Sequence, residues 1–97
     1  MYAMVTRFED NPTNLNDGIS HVLDEVIPEV EKAEGVRGIW LANRDIGERL
    51  SVMLFDDPGT ADKLFAAIAE RRAADPGRNR PTPVDSVVYE VYASVLE

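Results

Sequence analysis

The residues with chemistry to offer are few. The 97-residue chain has no cysteine, one histidine (His21) and one tryptophan (Trp40), so thiolate nucleophiles and disulfides are excluded. It holds no Gly-rich phosphate loop, no Ser/His/Asp set and no Cys/His cluster. Among what remains, Glu90 and Tyr92 are the candidate catalytic groups. A carboxylate on a largely apolar face holds its proton more tightly unless a cation faces it, which suits a general base for an acidic phenol. Pairing of Glu90 with Arg49 or Arg7, or simple exposure at an edge, is the competing reading. Trp40 has the ring to stack on an aromatic ligand, with plain packing as its other role. Thr6 and Ser51 supply small polar groups that orient a ligand in an apolar cavity, and Met53 and Phe55 complete the set of candidate substrate-binding residues.

Other polar residues read as structural. His21 falls roughly opposite the apolar stripe of its helix and is expected at the surface. Asp56-Asp57 and Asp24-Glu25 suit helix capping and a solvated face, and no metal site is expected from them. Arg78 and Arg80 form a small basic island in a loop, either simply solvated or able to close over an anionic substrate.

The elements that must position these groups follow from periodicity. Residues 2–8 alternate, with Tyr2, Met4, Thr6 and Phe8 on one side and Ala3, Val5 and Arg7 on the other, which predicts a strand. Glu9-Asp10-Asn11-Pro12 ends it. Asn14, Asn16 or Asp17 can cap a helix whose stripe is Leu15, Ile19, Val22, Leu23, Val26, Ile27 and Val30. Pro28 inside it predicts a kink or break, and Gly35 a left-handed end. A hairpin follows, with strands at 36–42 and 49–55; closing its turn symmetrically pairs Leu41 with Leu50. Asp56-Asp57-Pro58 begins a second helix to about Ala74, with Ala61, Leu64, Phe65 and Ile68 on one face. Asp75-Pro76-Gly77 stops it, residues 78–84 read as a loop, and a last strand is expected over 86–96.

The order β-α-β-β-α-β is that of the ferredoxin-like α+β fold, with two helices on one face of a four-stranded antiparallel sheet. The side whose hairpin residues are all aliphatic is the expected helix-facing one: Val5, Ile39, Leu41, Leu50, Val52, Leu54, Val87, Tyr89 and Val91. The uncovered face would then carry Tyr2, Met4, Thr6, Phe8, Val36, Trp40, Ser51, Met53, Phe55, Val88, Glu90, Tyr92 and Ser94. A patch of that size marks an interface or a binding surface, and a second copy is its simplest cover.

A hydrophobic share of 44% and a charged share of 29% are those of one ordinary globular domain, residues 1–97. The net charge of −8 argues against nucleic acid and against an anionic membrane surface. No apolar run is long enough to span a bilayer. The first residues lead straight into a strand pattern without a signal-like core, so the cytoplasm is the default expectation.

Glu34-Gly35-Val36-Arg37-Gly38-Ile39-Trp40-Leu41 is similar to a "Pro-Gly-Phe-Arg-Gly" pattern, and Leu54-Phe55-Asp56-Asp57 to a "Trp-Glu/Asp-Ser-Glu" pattern, of the antibiotic-biosynthesis-monooxygenase group of the dimeric α/β-barrel superfamily. With element order and length, the resemblance covers nearly the whole chain. It implies a homodimeric barrel with a pocket between sheet and helices or at the barrel's mouth. It also implies cofactor-independent oxygenation, or a related isomerase or cyclase reaction, on a small aromatic or quinone-like metabolite, with no cofactor. A non-catalytic dimeric ligand-binding or stress-responsive protein is the alternative. Haem degradation is not expected: where that branch of the superfamily uses Asn, Trp and His, this chain offers Thr6, Phe55 and Ala66. RNA-recognition modules share the element order, but the run 49–55 lacks their Gly-aromatic signature and the charge is wrong. Amino-acid-sensing regulatory domains share it too, but the Gly-rich turn expected after the first strand is missing.

Overall fold

The computed structural model describes residues 1–9, 13–77 and 83–95. Asp10, Asn11 and Pro12, the basic pair Arg78 and Arg80, and Leu96 lie outside the described residues. The elements are β1 (Tyr2–Glu9), α1 (Leu15–His21), a π turn (Val22–Val26), α2 (Ile27–Lys32), β2 (Val36–Asn43), β3 (Glu48–Phe55), α3 (Pro58–Ala74) and β4 (Asp85–Glu90). The four strands form one antiparallel sheet in the order β2-β3-β1-β4, the ferredoxin-like arrangement. The hairpin has the expected register, Leu41 opposite Leu50. Asn43 shapes its turn, the side-chain oxygen accepting from Asp45 N at 3.1 Å.

Local chemistry sets the helix ends. Asp57 caps α3, its carboxylate accepting from Thr60 N at 3.0 Å, and Pro58 follows where a missing N–H costs nothing. Gly35, after α2, has φ +76°, the left-handed conformation anticipated there. Pro28 does interrupt the first helical stretch. Before it the backbone widens into the π turn, where Ile27 N donates to Val22 O. Pro28 thereby falls in the first turn of α2, where no partner for its nitrogen is needed.

Two expectations are corrected. The helices cover the mixed face of the sheet, and the aliphatic face is open. The core joins Val22, Val26 and Val30 to Val36, Met53 and Phe55 of the sheet and to Ala61, Leu64 and Ile68 of α3, with Met4, Trp40 and Phe65 packed against it. Ile39, Leu41, Val87 and Tyr89 point the other way and are exposed. Both faces are apolar, so alternation alone does not say which is covered. Strands β1 and β2 run parallel, as do β3 and β4, because each is antiparallel to the strand between. Crossovers of that kind share one hand and therefore lie on one side; the pleat then decides which residues meet them. Gly38 is what lets the covered face hold a tryptophan: a Cβ there would stand 2.5 Å from the Trp40 indole.

The second correction is the last strand, which ends at Glu90. Its ladder with β1 ends at the pair Tyr2 and Glu90. Val91 N donates to Met1 O at 3.0 Å, and Tyr92 follows at 98% exposure.

Burial reverses the sequence expectation at two apolar positions, Met53 at 6% exposure and Leu23 at 57%. Met53→Ala should cost about 2–5 kcal/mol, whereas Leu23→Ala, at a position 57% exposed, should stay within about 0.5 kcal/mol; urea unfolding measures both. Glu29 ties α2 to α3 through Arg71, whose guanidinium holds the carboxyl below its ordinary value of 4.5. A lowered folded-state value means that the contribution is present above about pH 4.5 and fades as pH falls through the folded value. Unfolding midpoints of the wild type and Glu29→Gln should therefore differ near neutrality and converge in acid.

Candidate functional site

The strand register assembles the site. One row crosses all four strands: Trp40 of β2 faces Ser51 of β3, Ser51 faces Thr6 of β1, and Thr6 faces Ser86 of β4. The Thr6 and Ser86 hydroxyls are 3.1 Å apart and hydrogen-bonded. Met4 and Met53 occupy the next row on the same side, and Phe8 and Arg49 lie beyond Thr6 and Ser51 in the other direction. This polar row with apolar flanks is the floor of a cavity of about 330 Å³ between sheet and helices. His21, Val22 and Val26 roof it from the first helical stretch; Phe65, Ile68, Ala69 and Arg72 from α3; Pro83 closes one side. The volume is at the small end of those that hold ligands, and the lining has the usual form of apolar walls with a few convergent polar groups.

His21 lies on this wall, in contrast to the surface position expected from the aliphatic stripe, and is 3% exposed. The stripe misleads because the buried side of the helix is turned towards Gly18, His21 and Glu25, leaving Leu23 exposed. Nδ1 of His21 is 3.5 Å from the Glu25 carboxylate one turn on, and Nε2 is 3.3 Å from a guanidinium nitrogen of Arg72. A guanidinium only donates, so a hydrogen bond here requires Nε2 as acceptor, which is the tautomer with its proton on Nδ1, on the Glu25 side. Thr6, His21, Glu25, Arg49 and Ser51 are all buried. Arg49 packs its guanidinium over the Phe8 ring, 4.5 Å from the centroid, and against Gly18, where a Cβ would stand only 2.6 Å away.

Of the residues singled out in the sequence, Thr6, Trp40, Ser51 and Met53 are brought together in the cavity lining. Phe55 is buried in the core and stacks with Tyr2, centroids 6.2 Å apart, without lining the cavity. Glu90 lies exposed at the end of β4, opposite Tyr2, and Tyr92 lies beyond the strand; neither lines the cavity. Arg49 is at the other end of the sheet from Glu90, and Arg7 engages Glu9 at 2.7 Å and Asp85 at 3.3 Å. Sequence reasoning missed His21, Phe65, Arg72 and Ser86 as lining residues. The His21/Glu25 spacing of four, which stacks two side chains on one helix face, was the available signal. A second groove of about 290 Å³ runs between Ile19, Leu23 and Ile27 and the hairpin residues Leu41, Ala42 and Leu50. Its lining is more uniformly apolar.

No family model matches the chain, and no curated protein matches it. Solved structures do. Rv0793 from Mycobacterium tuberculosis superposes with a TM-score of 0.74 at 16% identity, covering 98% of each chain. The monooxygenase ActVA-Orf6 of Streptomyces coelicolor, solved with the ligand nanaomycin D, gives 0.70 at 16% identity over 99% of this chain and 91% of its own. SnoaB, a cofactor-independent oxygenase from Streptomyces nogalater, gives 0.66 at 14% identity over 99% of this chain and 97% of its own. The chain thus has the ferredoxin-like fold found in antibiotic biosynthesis monooxygenase-like proteins.

Proposed function

We propose that this protein is a homodimeric, cofactor-independent monooxygenase, or a related isomerase or cyclase, that holds a small aromatic or quinone-like metabolite between its sheet and its helices. The observation that carries the reading is the cavity itself: apolar and aromatic walls, the Trp40 indole at one end of its floor, and the Thr6, Ser51 and Ser86 hydroxyls in a row beside it. Thr6, Trp40, Ser51 and Met53 are the proposed ligand contacts. In such a reaction the substrate supplies the electrons. An activated methylene and O2 give a carbonyl and water, one oxygen atom going to each product, so the protein has to bind, orient and deprotonate. Two structural neighbours, ActVA-Orf6 and SnoaB, are oxygenases, which supports the choice of chemistry.

The open face supports the dimer. Ile39, Leu41, Val87 and Tyr89 are exposed, beside the half-buried Val5, Val52 and Leu54. A second copy of the same largely apolar face is the simplest cover for such a surface. The alternative of a dimeric binding protein without turnover is favoured by one observation, the placement of Glu90 and Tyr92 off the cavity.

Trp40 is the sole tryptophan, so its fluorescence reports occupancy directly. Anthrone-like and quinol compounds should quench it, and under oxygen the accepted ones should be consumed. Trp40→Ala should lower kcat/KM about tenfold or more, while Glu90→Ala and Tyr92→Phe stay within about twofold. Quenching without consumption would favour the binding protein; neither would sink both readings. Light scattering should find a dimer at micromolar concentration and a folded monomer for Ile39→Asp/Val52→Asp. A monomeric wild type would end the barrel model.

A further inference from the structure

The two nitrogens of His21 have different neighbours, and the difference has chemical content. Nδ1 faces the Glu25 carboxylate from the same helical stretch, 3.5 Å away, and Nε2 takes a hydrogen bond from Arg72 of α3 at 3.3 Å. Below, the sheet offers the uncharged hydroxyls of Thr6, Ser51 and Ser86, and Arg49 stands at Gly18 on the Phe8 side. Nε2 is therefore a lone-pair nitrogen at the cavity wall. A carboxylate behind it is placed to stabilise an imidazolium, and a cation is on the same wall. The Arg72 side chain, in the last turn of α3, is exposed to solvent, whereas His21 is not.

We infer that His21, Glu25 and Arg72 make the cavity selective for aromatic ligands bearing an ionisable hydroxyl, such as a phenol, naphthol or enol, and that His21 Nε2 takes the proton. The ligand's O–H bond breaks, an Nε2–H bond forms, and the electron pair stays on oxygen as an aryloxide. Arg72 gives up the Nε2 lone pair and pairs with the aryloxide, while the new imidazolium faces Glu25. With Glu25 ionised, the net charge of the cavity is the same before and after, and each anion ends beside a cation. That condition makes ion formation tolerable in a poorly solvated space. The inference rests on the cavity being an aromatic-ligand site, and adds which aromatics it selects and where their proton goes.

Para-nitrophenol and para-nitroanisole, which differ at the hydroxyl, separate the two ideas. Trp40 quenching reads occupancy by either probe, the visible phenolate band reads ionisation, and 15N NMR of the single histidine reads the ring proton. The free protein should show the Nδ1–H tautomer. Para-nitrophenol should bind about tenfold more tightly than para-nitroanisole, as phenolate, with His21 becoming doubly protonated. Arg72→Met, a change at an exposed position, should abolish the preference between the two probes; His21→Gln should bind para-nitrophenol only in its neutral form. If the wild type binds both probes equally and leaves the phenol neutral, the inference is overturned and the cavity reading stands. An Nε2–H tautomer in the free protein also overturns it. If neither probe quenches Trp40, the cavity reading fails and the inference fails with it.

Discussion

The parity of the pleat is the constraint on which the rest of this protein depends. Antiparallel pairing of β3 with both β1 and β2 aligns Trp40, Ser51, Thr6 and Ser86 in one row on one side of the sheet. A slip of one residue in either pairing would send part of the row to the opposite face, since side chains alternate with a period of two. Two parallel crossovers put α1–α2 and α3 on that same side. Once the parity is set, the location of the cavity, the identity of its floor and the composition of the open face all follow.

Burial of polar groups explains why the mixed face, rather than the aliphatic one, lies beneath the helices. The first helical stretch turns His21 and Glu25 inward, and a buried charge or amide-like group is costly unless something polar meets it. The covered side of the sheet supplies Thr6, Ser51 and Arg49, and α3 supplies Arg72. Ile39, Leu41, Val52 and Leu54 would have met those groups with nothing but methyls. The π turn belongs to the same solution. It sets Pro28 in the first turn of α2, where no N–H is required, and it lies in the segment that carries Glu25, directly after His21. Wide turns of this kind are found often at functional sites.

The sheet consequently divides its work between two faces. The helix side combines packing with a cavity, and its aromatic and sulfur-bearing residues, Trp40, Met4, Met53 and Phe65, wall that space. The open side is chemically plain and suited to assembly. For a chain of 97 residues, whose own core is modest, covering that side with another sheet would add apolar burial that a single copy does not have. Fold likeness alone does not decide what reaction such an architecture performs; the groups converging on the cavity carry that part.

Element order, the Leu41–Leu50 register, the Asp57 cap, the Gly35 turn and the interruption at Pro28 were all legible in the residues, because each is a local preference or a short-range pairing. The lining role of Trp40, Thr6, Ser51 and Met53 was within reach for the same reason, since the period of two places them on one side. Which side the helices would choose was not legible, because two apolar faces present the same alternation and what distinguishes them, the hand of the crossovers and the polar partners waiting beneath His21 and Glu25, is tertiary. Nor was the extent of β4, because how far a strand runs depends on its ladder with a partner distant in the chain. His21 shows the difference most sharply. Its distance from the aliphatic stripe argued for solvent, and only the packing of α1, the π turn and α3 against the sheet turned it into a buried imidazole between a carboxylate and a guanidinium. Periodicity records which residues are apolar; it does not record which polar ones will find partners at a distance in the chain.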